Sequence, residues 1–258
     1  MSAVPIRAEG LTKIYGEGEA AYHALGPIDL DIKAGEFVSL IGPSGCGKST
    51  TLLLVSGLEP YTAGTLAVGG KPLTRPITDV GIVFQDHLLL EFRTAMANVM
   101  LQQEIRRLDR AELTERAEAL FARLKLKGAE DRYPWQLSGG MRQRVSIARA
   151  LVHDPSMLLM DEPFGALDAI TRTQIRHDLE LLWLETKKTV LFITHSVEEA
   201  VGLSDRVLVM SNGPGQIVDE IEITLPRPRP AHLGEYPEFA VHAERIYTAF
   251  KKLGVYDF

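Results

Sequence analysis

Four continuous apolar runs recur along the chain, at residues 37–41, 80–84, 157–160 and 189–194. Each run is four to six residues long and is rich in valine, leucine, isoleucine or methionine. Short continuous runs of this kind are typical of strands that are buried in a protein core. The segments between them, such as 169–186, repeat apolar residues at the spacing of a helix. The pattern therefore predicts an α/β core with buried strands.

A different pattern precedes this core. Residues 6–32 alternate apolar and polar positions, with turn signals at Gly10, at 16–18 and at 26–27. Alternation interrupted by glycine turns predicts short antiparallel strands. We therefore expect an N-terminal antiparallel β region that lies against the α/β core.

Residues 94–124 contain neither glycine nor proline, and their apolar residues recur at helical spacing. This composition predicts an inserted α-helical subdomain without strands. The apolar run at 37–41 leads into a helix that we predict over 50–58, with Leu52, Leu53 and Val55 toward the core.

The sequence pattern changes again near the end of the chain. Residues 225–230 read Leu-Pro-Arg-Pro-Arg-Pro, which predicts an extended linker rather than a core element. A final helix is predicted over 237–253, and its expected apolar face is Phe239, Ile246, Tyr247 and Phe250. The predicted division is an α/β core at 1–86 and 156–224, a helical subdomain at 87–155, and a C-terminal linker and helix at 225–258.

Composition narrows the class of protein. The 258 residues are 45% apolar and 24% charged, which is ordinary for a globular protein with a sizeable core. The net charge of −6 gives no electrostatic reason to expect nucleic-acid binding. One cysteine excludes an internal disulfide framework. Because the first ten residues lack a signal-peptide core and no apolar run approaches ~20 residues, we expect a soluble cytoplasmic protein.

The strongest chemical signal follows the first apolar run. Residues 42–50 fit the phosphate-binding pattern G-x-x-x-x-G-K-[ST], and they stand between a predicted strand and a predicted helix. Backbone N–H groups of such a loop, together with the helix N-terminus, bind phosphate oxygens. The expected nucleotide-binding residues of the loop are Gly42, Pro43, Ser44, Gly45, Cys46, Gly47, Lys48, Ser49 and Thr50. Lys48 would reach the β- and γ-phosphates of a nucleoside triphosphate, and Ser49 would bind Mg²⁺.

Polar residues follow three of the buried runs. Gln85 directly follows the run at 80–84, and Asp161 and Glu162 follow the run at 157–160. His195 follows the run at 189–194. Open α/β sheets gather their ligand-binding groups at the carboxyl ends of strands. Asp161 and Gln85 are predicted metal ligands, and Gln85 is also expected near the attacking water. Glu162 is the candidate general base that polarises this water.

A second candidate anion site lies at residues 137–141, Leu-Ser-Gly-Gly-Met. Ser138 is placed to cap a helix over 142–152, and Gly139 and Gly140 allow a close approach to the backbone. An ordinary capped helix start is the alternative reading of this segment.

Taken together, the motifs closely resemble the ATP-binding subunits of ABC transporters over residues 6–225. The resembling segments are 42–50 for Walker A, Gln85 for the Q-loop, 137–141 for the signature, 158–162 for Walker B, 166–168 for the D-loop and His195 for the switch histidine. Tyr15 stands where this family has its adenine-stacking aromatic residue. The signature ends in Met141 rather than glutamine, and we expect little effect because the contacts come from Ser138 and the two glycines.

The resemblance implies a P-loop NTPase (RecA-like) core and an ATPase that is coupled to solute transport. Catalysis would involve Glu162, His195, Lys48 and Gln85, with ATP and Mg²⁺ as cofactors. It also implies a homodimer around two ATP molecules, two membrane permease subunits, an extracytoplasmic solute-binding protein, and a peripheral position on the cytoplasmic face of the inner membrane. Residues 161–168, Met141 and the Leu-Pro-Arg-Pro-Arg tail resemble the nitrate/sulfonate/taurine importer branch.

Two other functions are considered. An SMC-like DNA-repair ATPase also carries a signature, but it has long coiled-coil arms between Walker A and that motif, where this chain has fewer than a hundred residues. A small-molecule P-loop kinase needs neither the signature nor a glutamate beside the metal-binding aspartate.

Two further hypotheses concern single segments. Cys46 lies near a helix N-terminus, where a low thiol pKa would make it reactive toward alkylating reagents. Residues 86–92 place Leu88, Leu89, Leu90 and Phe92 in a predicted loop, and exposed apolar residues of this kind often mark partner sites. We expect some of these residues to contact a membrane subunit, with packing between core and helical subdomain as the alternative.

Overall fold

The computed structural model describes residues 2–254, which contain ten strands in two sheets and seven α-helices. The strands are β1 (Ile6–Tyr15), β2 (Tyr22–Ile32), β3 (Phe37–Ile41), β4 (Ala63–Val68), β5 (Lys71–Pro72), β6 (Val80–Val83), β7 (Met157–Asp161), β8 (Thr189–Thr194), β9 (Arg206–Met210) and β10 (Ile217–Glu222). The helices are α1 (Lys48–Ser56), α2 (Ala95–Arg106), α3 (Arg110–Arg123), α4 (Gly139–Leu151), α5 (Ala169–Thr186), α6 (Val197–Leu203) and α7 (Pro237–Lys252). None of the helices within this range combines the length and apolar character that crossing a lipid bilayer demands.

A six-stranded sheet forms the centre of the fold, in the order β10-β9-β3-β8-β7-β6. All neighbouring strands are parallel except the pair β9 and β10. Successive residues of β7 and β8 belong to two different hydrophobic clusters: Leu158 and Phe192 face one, and Leu159 and Ile193 face the other. Because both faces of the sheet are covered, its inner strands are continuously apolar. The predicted α/β class is confirmed.

The parallel strands end at the same edge of the sheet. Strand β3 leads into the glycine-rich loop, Gln85 lies two residues after β6, and His195 follows β8 directly. Asp161 is the last residue of β7. The topology therefore gathers the polar residues that the sequence placed after separate apolar runs.

The N-terminal antiparallel sheet has the order β2-β1-β4-β5. Strands β1 and β2 pair from Ile6 with Ile32 at one end to Tyr15 with Tyr22 at the other. Buried residues of this sheet share a cluster with Leu52 of α1 and Val38 of β3. The alternating pattern of 6–32 thus forms the predicted antiparallel region against the core.

Helices α2, α3 and α4 build the helical part of the chain. Thr94 caps α2 by accepting a hydrogen bond from the Ala97 amide, and Asp109 caps α3 in the same way from Glu112. Apolar residues of all three helices share one cluster with Val83, Leu158 and Phe192 of the central sheet, among others. The region without glycine and proline is therefore helical as predicted.

Helix α4 begins at Gly139 rather than at the predicted residue 142, because Ser138 is its N-cap. Three further local predictions are wrong. Helix α1 begins at Lys48 rather than at residue 50, because Gly47 in the left-handed conformation is its N-cap, and Leu54 rather than Leu53 is buried. In α7, Tyr247 is 48% exposed, and the buried face consists of Ala243, Ile246, Ala249 and Phe250.

The third error concerns residues 225–230, predicted as a linker. They have no regular secondary structure, but Leu225 and Arg229 are only 4% and 1% exposed. Proline prevented a helix or a central strand, as the sequence indicated. The arginines, however, bind groups inside the protein instead of pointing into solvent.

Candidate functional site

The glycine-rich loop between β3 and α1 has a backbone path that only glycine fits at two positions. Gly45 and Gly47 have φ angles of +75° and +101°. At Gly47, a Cβ atom would also lie 2.6 Å from the carbonyl oxygen of Ala24. Left-handed φ values are strained for residues with side chains. These glycines therefore hold the loop in its curled form at the N-terminus of α1.

Lys48 is the first residue of α1, and it is 6% exposed. Its Nζ donates hydrogen bonds to the carbonyl oxygens of Gly42, at 3.0 Å, and Pro43, at 2.8 Å. These contacts hold the ammonium group inside the loop. Its charge adds to the partial positive charge of the helix N-terminus, so the loop is an anion-binding site.

A cavity of about 450 Å³ lies beside this loop. Its lining residues are Tyr15, Tyr22, Ala24, Ser44, Gly45, Gly47, Lys48, Ser49, Thr50, Gln85 and Glu162. The cavity thus joins the glycine-rich loop to strand-end residues and to the antiparallel sheet. Of the predicted loop residues, Gly42, Pro43 and Cys46 do not line it; two of them serve as carbonyl acceptors for Lys48.

Two tyrosines form the side of the cavity that belongs to the antiparallel sheet. Tyr15 and Tyr22 are directly paired across β1 and β2, and both line the cavity. Lys13 Nζ lies 4.5 Å from the centroid of the Tyr15 ring. Sequence reasoning selected Tyr15 but missed Tyr22, although Tyr22 directly follows the turn that brings it opposite Tyr15.

Ser49 and Asp161 form the candidate metal site. The Ser49 hydroxyl lies close enough to the Asp161 carboxylate to act on its pKa. Burial raises the pKa of Asp161, and the charge of Glu162 raises it further, while Ser49 and Lys48 act in the opposite direction. A carboxylate in this environment is stabilised by a cation. Hydroxyl and carboxylate oxygens are hard donors that suit Mg²⁺.

Among residues 2–254 there is no cluster of three or more histidine, cysteine, aspartate or glutamate side chains arranged for a metal ion. Mg²⁺ commonly keeps water ligands and is bound by one or two protein groups together with substrate phosphates. The donor pair of Ser49 and Asp161 next to a phosphate loop fits this mode of binding.

Glu162 and His195 are adjacent on the edge of the sheet. Glu162 Oε2 lies 3.1 Å from His195 Nδ1, which donates because a carboxylate can only accept. The side chain of Glu162 is 23% exposed and that of His195 is 60% exposed. Glu162 also has a φ of +43°, a conformation that costs free energy in a non-glycine residue. Its amide donates to the carbonyl oxygen of Ile193, which holds this backbone in place.

A buried acid next to this pair was missed. Glu199 of α6 is 4% exposed and accepts a 2.5 Å hydrogen bond from the Thr194 hydroxyl. Burial raises the pKa of Glu199. Its amide donates to the Ser196 hydroxyl, so the sequence pattern Ser-x-x-Glu, typical of a helix start, was the available signal.

The predicted second anion site, at residues 138–140, does not line the cavity at the phosphate loop. Ser138 is exposed and caps α4 by accepting a hydrogen bond from the Met141 amide at 3.3 Å. A Cβ atom at Gly140 would lie 2.4 Å from Cγ2 of Thr171, so close packing against α5 requires glycine there. Ser138, Gly139 and Gly140 all belong to the described part of the chain, and none of them lines the cavity at the phosphate loop.

The hypothesis of a low thiol pKa at Cys46 is wrong. Cys46 is 1% exposed, and burial raises its pKa by more than the nearby Lys48 ammonium lowers it. The thiol points into the protein, where it contacts the cluster that contains Leu52. Alkylation of this residue is therefore not a suitable probe of the loop.

The apolar loop after Gln85 contains both exposed and partly buried residues. Leu88 and Phe92 are 58% and 74% exposed, whereas Leu89 packs against the helical cluster. Arg149 of α4 donates to the carbonyl oxygens of Leu88, at 2.7 Å, and His87, at 2.9 Å. Arg149 thus connects this loop to the neighbouring groove.

That groove has a volume of about 700 Å³ and runs between the edge strand β6, helix α2 and the end of α4. Ile105 lines it and is 67% exposed, whereas His153 lines it and is 4% exposed. Neither ring nitrogen of His153 has a hydrogen-bond partner within residues 2–254. Burial, reinforced by the charge of Arg106, lowers the pKa of His153 to about 4.

Comparison with known proteins shows what this arrangement resembles. A family model described as ABC transporter matches residues 25–165. The ABC transporter ATP-binding protein MJ0412 of Methanocaldococcus jannaschii is 44% identical over 236 residues, covering 92% of this chain and 88% of that protein. The taurine import ATP-binding protein TauB of Escherichia coli K12 is 44% identical over 204 residues, covering 79% of this chain and 80% of that protein.

Solved structures agree in fold. A dimeric structure of the bacterial ABC transporter cassette MJ0796 has a TM-score of 0.75 and 34% identity, and covers 86% of this chain and 100% of that one. The structure of cbiO1 from Clostridium perfringens, part of an ABC transporter complex, has a TM-score of 0.76 and 27% identity, and covers 90% of this chain and 98% of that one.

Proposed function

Because this chain belongs to the ABC transporter family, as one of its ATPase subunits, we propose that it powers an importer. The main support for this proposal is one cavity at the carboxyl ends of parallel strands. It is lined by Lys48, Ser49, Gln85 and Glu162, among others. In the proposed function, two copies bind two ATP molecules, and hydrolysis drives solute uptake through separate membrane subunits. The chain would work as a peripheral subunit on the cytoplasmic face of the membrane.

The triphosphate would lie along the glycine-rich loop. Backbone amides of residues 42–50 and the Lys48 ammonium would bind its phosphates, and Tyr15 would stack on adenine. Ser49 and Asp161 would hold Mg²⁺, with Gln85 near it, and the ion would neutralise phosphate charge in the transition state. The effect of the nearby Ser49 hydroxyl on the pKa of Asp161 supports this assignment.

Glu162 would accept the proton of the attacking water. General-base assistance typically accelerates a reaction by ~10²–10⁴-fold. His195 would orient the Glu162 carboxylate through the 3.1 Å hydrogen bond between Nδ1 and Oε2. Both groups are partly open to solvent, so water can reach the place where the γ-phosphate would lie.

The second half of each ATP site would come from another copy of the chain. Ser138, Gly139 and Gly140 do not line the cavity at the phosphate loop, although the first is exposed. In a head-to-tail dimer these residues would contact the γ-phosphate bound by the partner. The dimeric cassette of MJ0796 supports this arrangement.

The transported solute would be nitrate, a sulfonate, taurine or a similar small solute. The taurine import ATP-binding protein TauB, which matches most of this chain, supports this choice. A solute-binding protein and the membrane subunits would select the solute. The proposed division keeps residues 1–86 and 156–224 as nucleotide-binding core, 87–155 as helical subdomain and 225–258 as C-terminal region.

The membrane subunit would dock on the groove between β6, α2 and α4. Exposed Leu88, Phe92 and Ile105 offer apolar surface at or beside it, and Arg106 and Arg149 add positive charge. An amphipathic helix with apolar and acidic residues fits such a groove. Gln85 lines the ATP site and lies just before the loop at 86–92. Binding of the membrane subunit at this loop would therefore be coupled to the occupancy of the ATP site.

Phosphate release from MgATP by the full-length chain tests the proposed activity. We expect hydrolysis to water by the wild type and its loss in K48A, because this change removes a direct phosphate contact. The control K71A changes an exposed lysine of β5 and should retain activity. Hydrolysis by K48A at the wild-type rate would contradict the assignment.

Phosphate release to water separates the proposed function from a kinase, and a DNA-binding assay separates it from a DNA-repair ATPase. A P-loop kinase would transfer phosphate to a metabolite rather than to water, and an SMC-like DNA-repair ATPase would bind DNA in a salt-dependent manner. A net charge of −6 gives no support for the second.

A further inference from the structure

Residues 225–231 hold two arginines against the end of helix α6. Arg229 is 1% exposed, and its Nη1 donates to the carbonyl oxygens of Val201, at 2.6 Å, and Ser204, at 2.8 Å. Arg227 donates to the carbonyl oxygen of Leu203 at 2.6 Å. These carbonyls belong to the last turn of α6 and its C-cap. Carbonyl groups at this end of a helix have no hydrogen-bond donors within the helix itself.

The same segment is fixed to helix α5. Glu180, which is 0% exposed on its side chain, accepts hydrogen bonds from the Arg229 amide at 3.0 Å and from Arg227 Nη1 at 3.0 Å. Arg176 donates to the carbonyl oxygens of Pro230 and Ala231. The tail is therefore a bridge between α5 and the C-terminal end of α6.

Arg229 stays charged although it is buried. Burial lowers its pKa to about 10, which leaves the guanidinium protonated at neutral pH. A positive charge at a helix C-terminus is favourable because it opposes the partial negative charge of the helix end. Helix α6 has only seven residues, and a helix of this length depends on such external contacts.

Helix α6 begins two residues after His195. The His195 ring is 60% exposed, and its only hydrogen bond within residues 2–254 is to Glu162. Because so little packs around the ring, its position follows from the backbone between β8 and α6. The far end of α6 is also tied to β3, since the Ser204 hydroxyl hydrogen-bonds Ser39.

We propose that Arg229 is a positioning residue for ATP hydrolysis. By fixing the C-terminal end of α6 to α5 and to the tail, it sets the position of His195 relative to Glu162. This inference rests on the proposed function, in which His195 orients the Glu162 carboxylate. It assigns a role in the ATPase cycle to a segment outside all the nucleotide-binding motifs.

A double-mutant cycle tests the inference in the full-length chain. R229M keeps an unbranched apolar side chain but removes every hydrogen bond of the guanidinium. We expect R229M to lower kcat about tenfold or more, with KM and the dissociation constant for ATP within about twofold of wild type. The matched control, R245M, changes a half-exposed arginine of α7 and should retain wild-type kcat.

The second half of the cycle measures R229M in a chain that also carries H195A. If Arg229 acts through His195, R229M should change kcat by less than about twofold once the histidine is absent. R229K, which keeps the charge but reaches fewer carbonyls, should have an intermediate kcat, and it replaces R229M in the cycle if the methionine variant does not fold.

The positioning role would be overturned by wild-type kcat in both Arg229 variants, or by an equal loss of kcat with and without His195. An H195A chain that hydrolyses ATP like the wild type would also overturn it. A wild-type chain without ATPase activity would instead contradict the proposed function.

Discussion

His153 makes folding of this chain sensitive to acid. Its ring is 4% exposed, and neither ring nitrogen has a hydrogen-bond partner within residues 2–254. Burial and the charge of Arg106 lower its pKa, while the Val80 backbone, Asp79 and Asp154 act in the opposite direction. Arg149, which lines the same groove, adds further positive charge. The folded chain therefore keeps His153 neutral at pH values where the unfolded chain protonates it.

The size of the effect follows from the two pKa values. The pKa is 6.5 in the unfolded chain and about 4 in the folded one. As pH falls below 6.5, only the unfolded state gains this proton, so stability declines by about 1.4 kcal/mol for each pH unit. The decline ends near pH 4, and the total loss is about 3 kcal/mol.

Urea unfolding of the wild type and of H153Q at pH 7.5 and pH 5.0 measures this loss. Glutamine is similar in size and does not titrate, so the difference between the two proteins cancels the contribution of the carboxylates. Between these pH values, the wild type should lose about 2 kcal/mol more unfolding free energy than H153Q. Equal losses in both proteins would refute the reasoning.

Two further predictions concern the proposed partners. F92D should keep the ATPase activity of the isolated chain but lose co-purification with the membrane subunits. The control V241D changes a similarly exposed apolar residue of α7 and should keep both properties. Co-purification of F92D with the membrane subunits would contradict the docking surface. Homodimers of S138R or of K48A should be inactive, whereas forced heterodimers of the two should regain hydrolysis from their single intact composite site. Wild-type activity in either homodimer would contradict that geometry.

Much of the fold was predictable because its strands are buried on both faces. Residues of β3, β7 and β8 are apolar at nearly every position, so their runs stood out in the sequence. The cavity was predictable for a related reason. Once these strands are parallel neighbours, the residues that follow them must meet at one edge of the sheet.

The errors arose where long-range contacts decide the structure. Residues 225–230 read as a linker because proline excludes regular structure, but Glu180 and the carbonyls of α6, distant in sequence, bind Arg227 and Arg229. Cys46 was expected to be reactive from its place near a helix N-terminus. Its desolvation depends on neighbours from other elements, which no local pattern reveals.

The central claim is that Glu162 activates water in an ATP-bound dimer of this chain. Light scattering combined with nucleotide analysis of E162Q in MgATP tests it most directly. We predict a dimer that retains intact ATP, with phosphate release slowed by about 10²–10⁴-fold relative to wild type, because glutamine cannot accept the proton. An E162Q chain that stays monomeric and releases phosphate at the wild-type rate would contradict the claim.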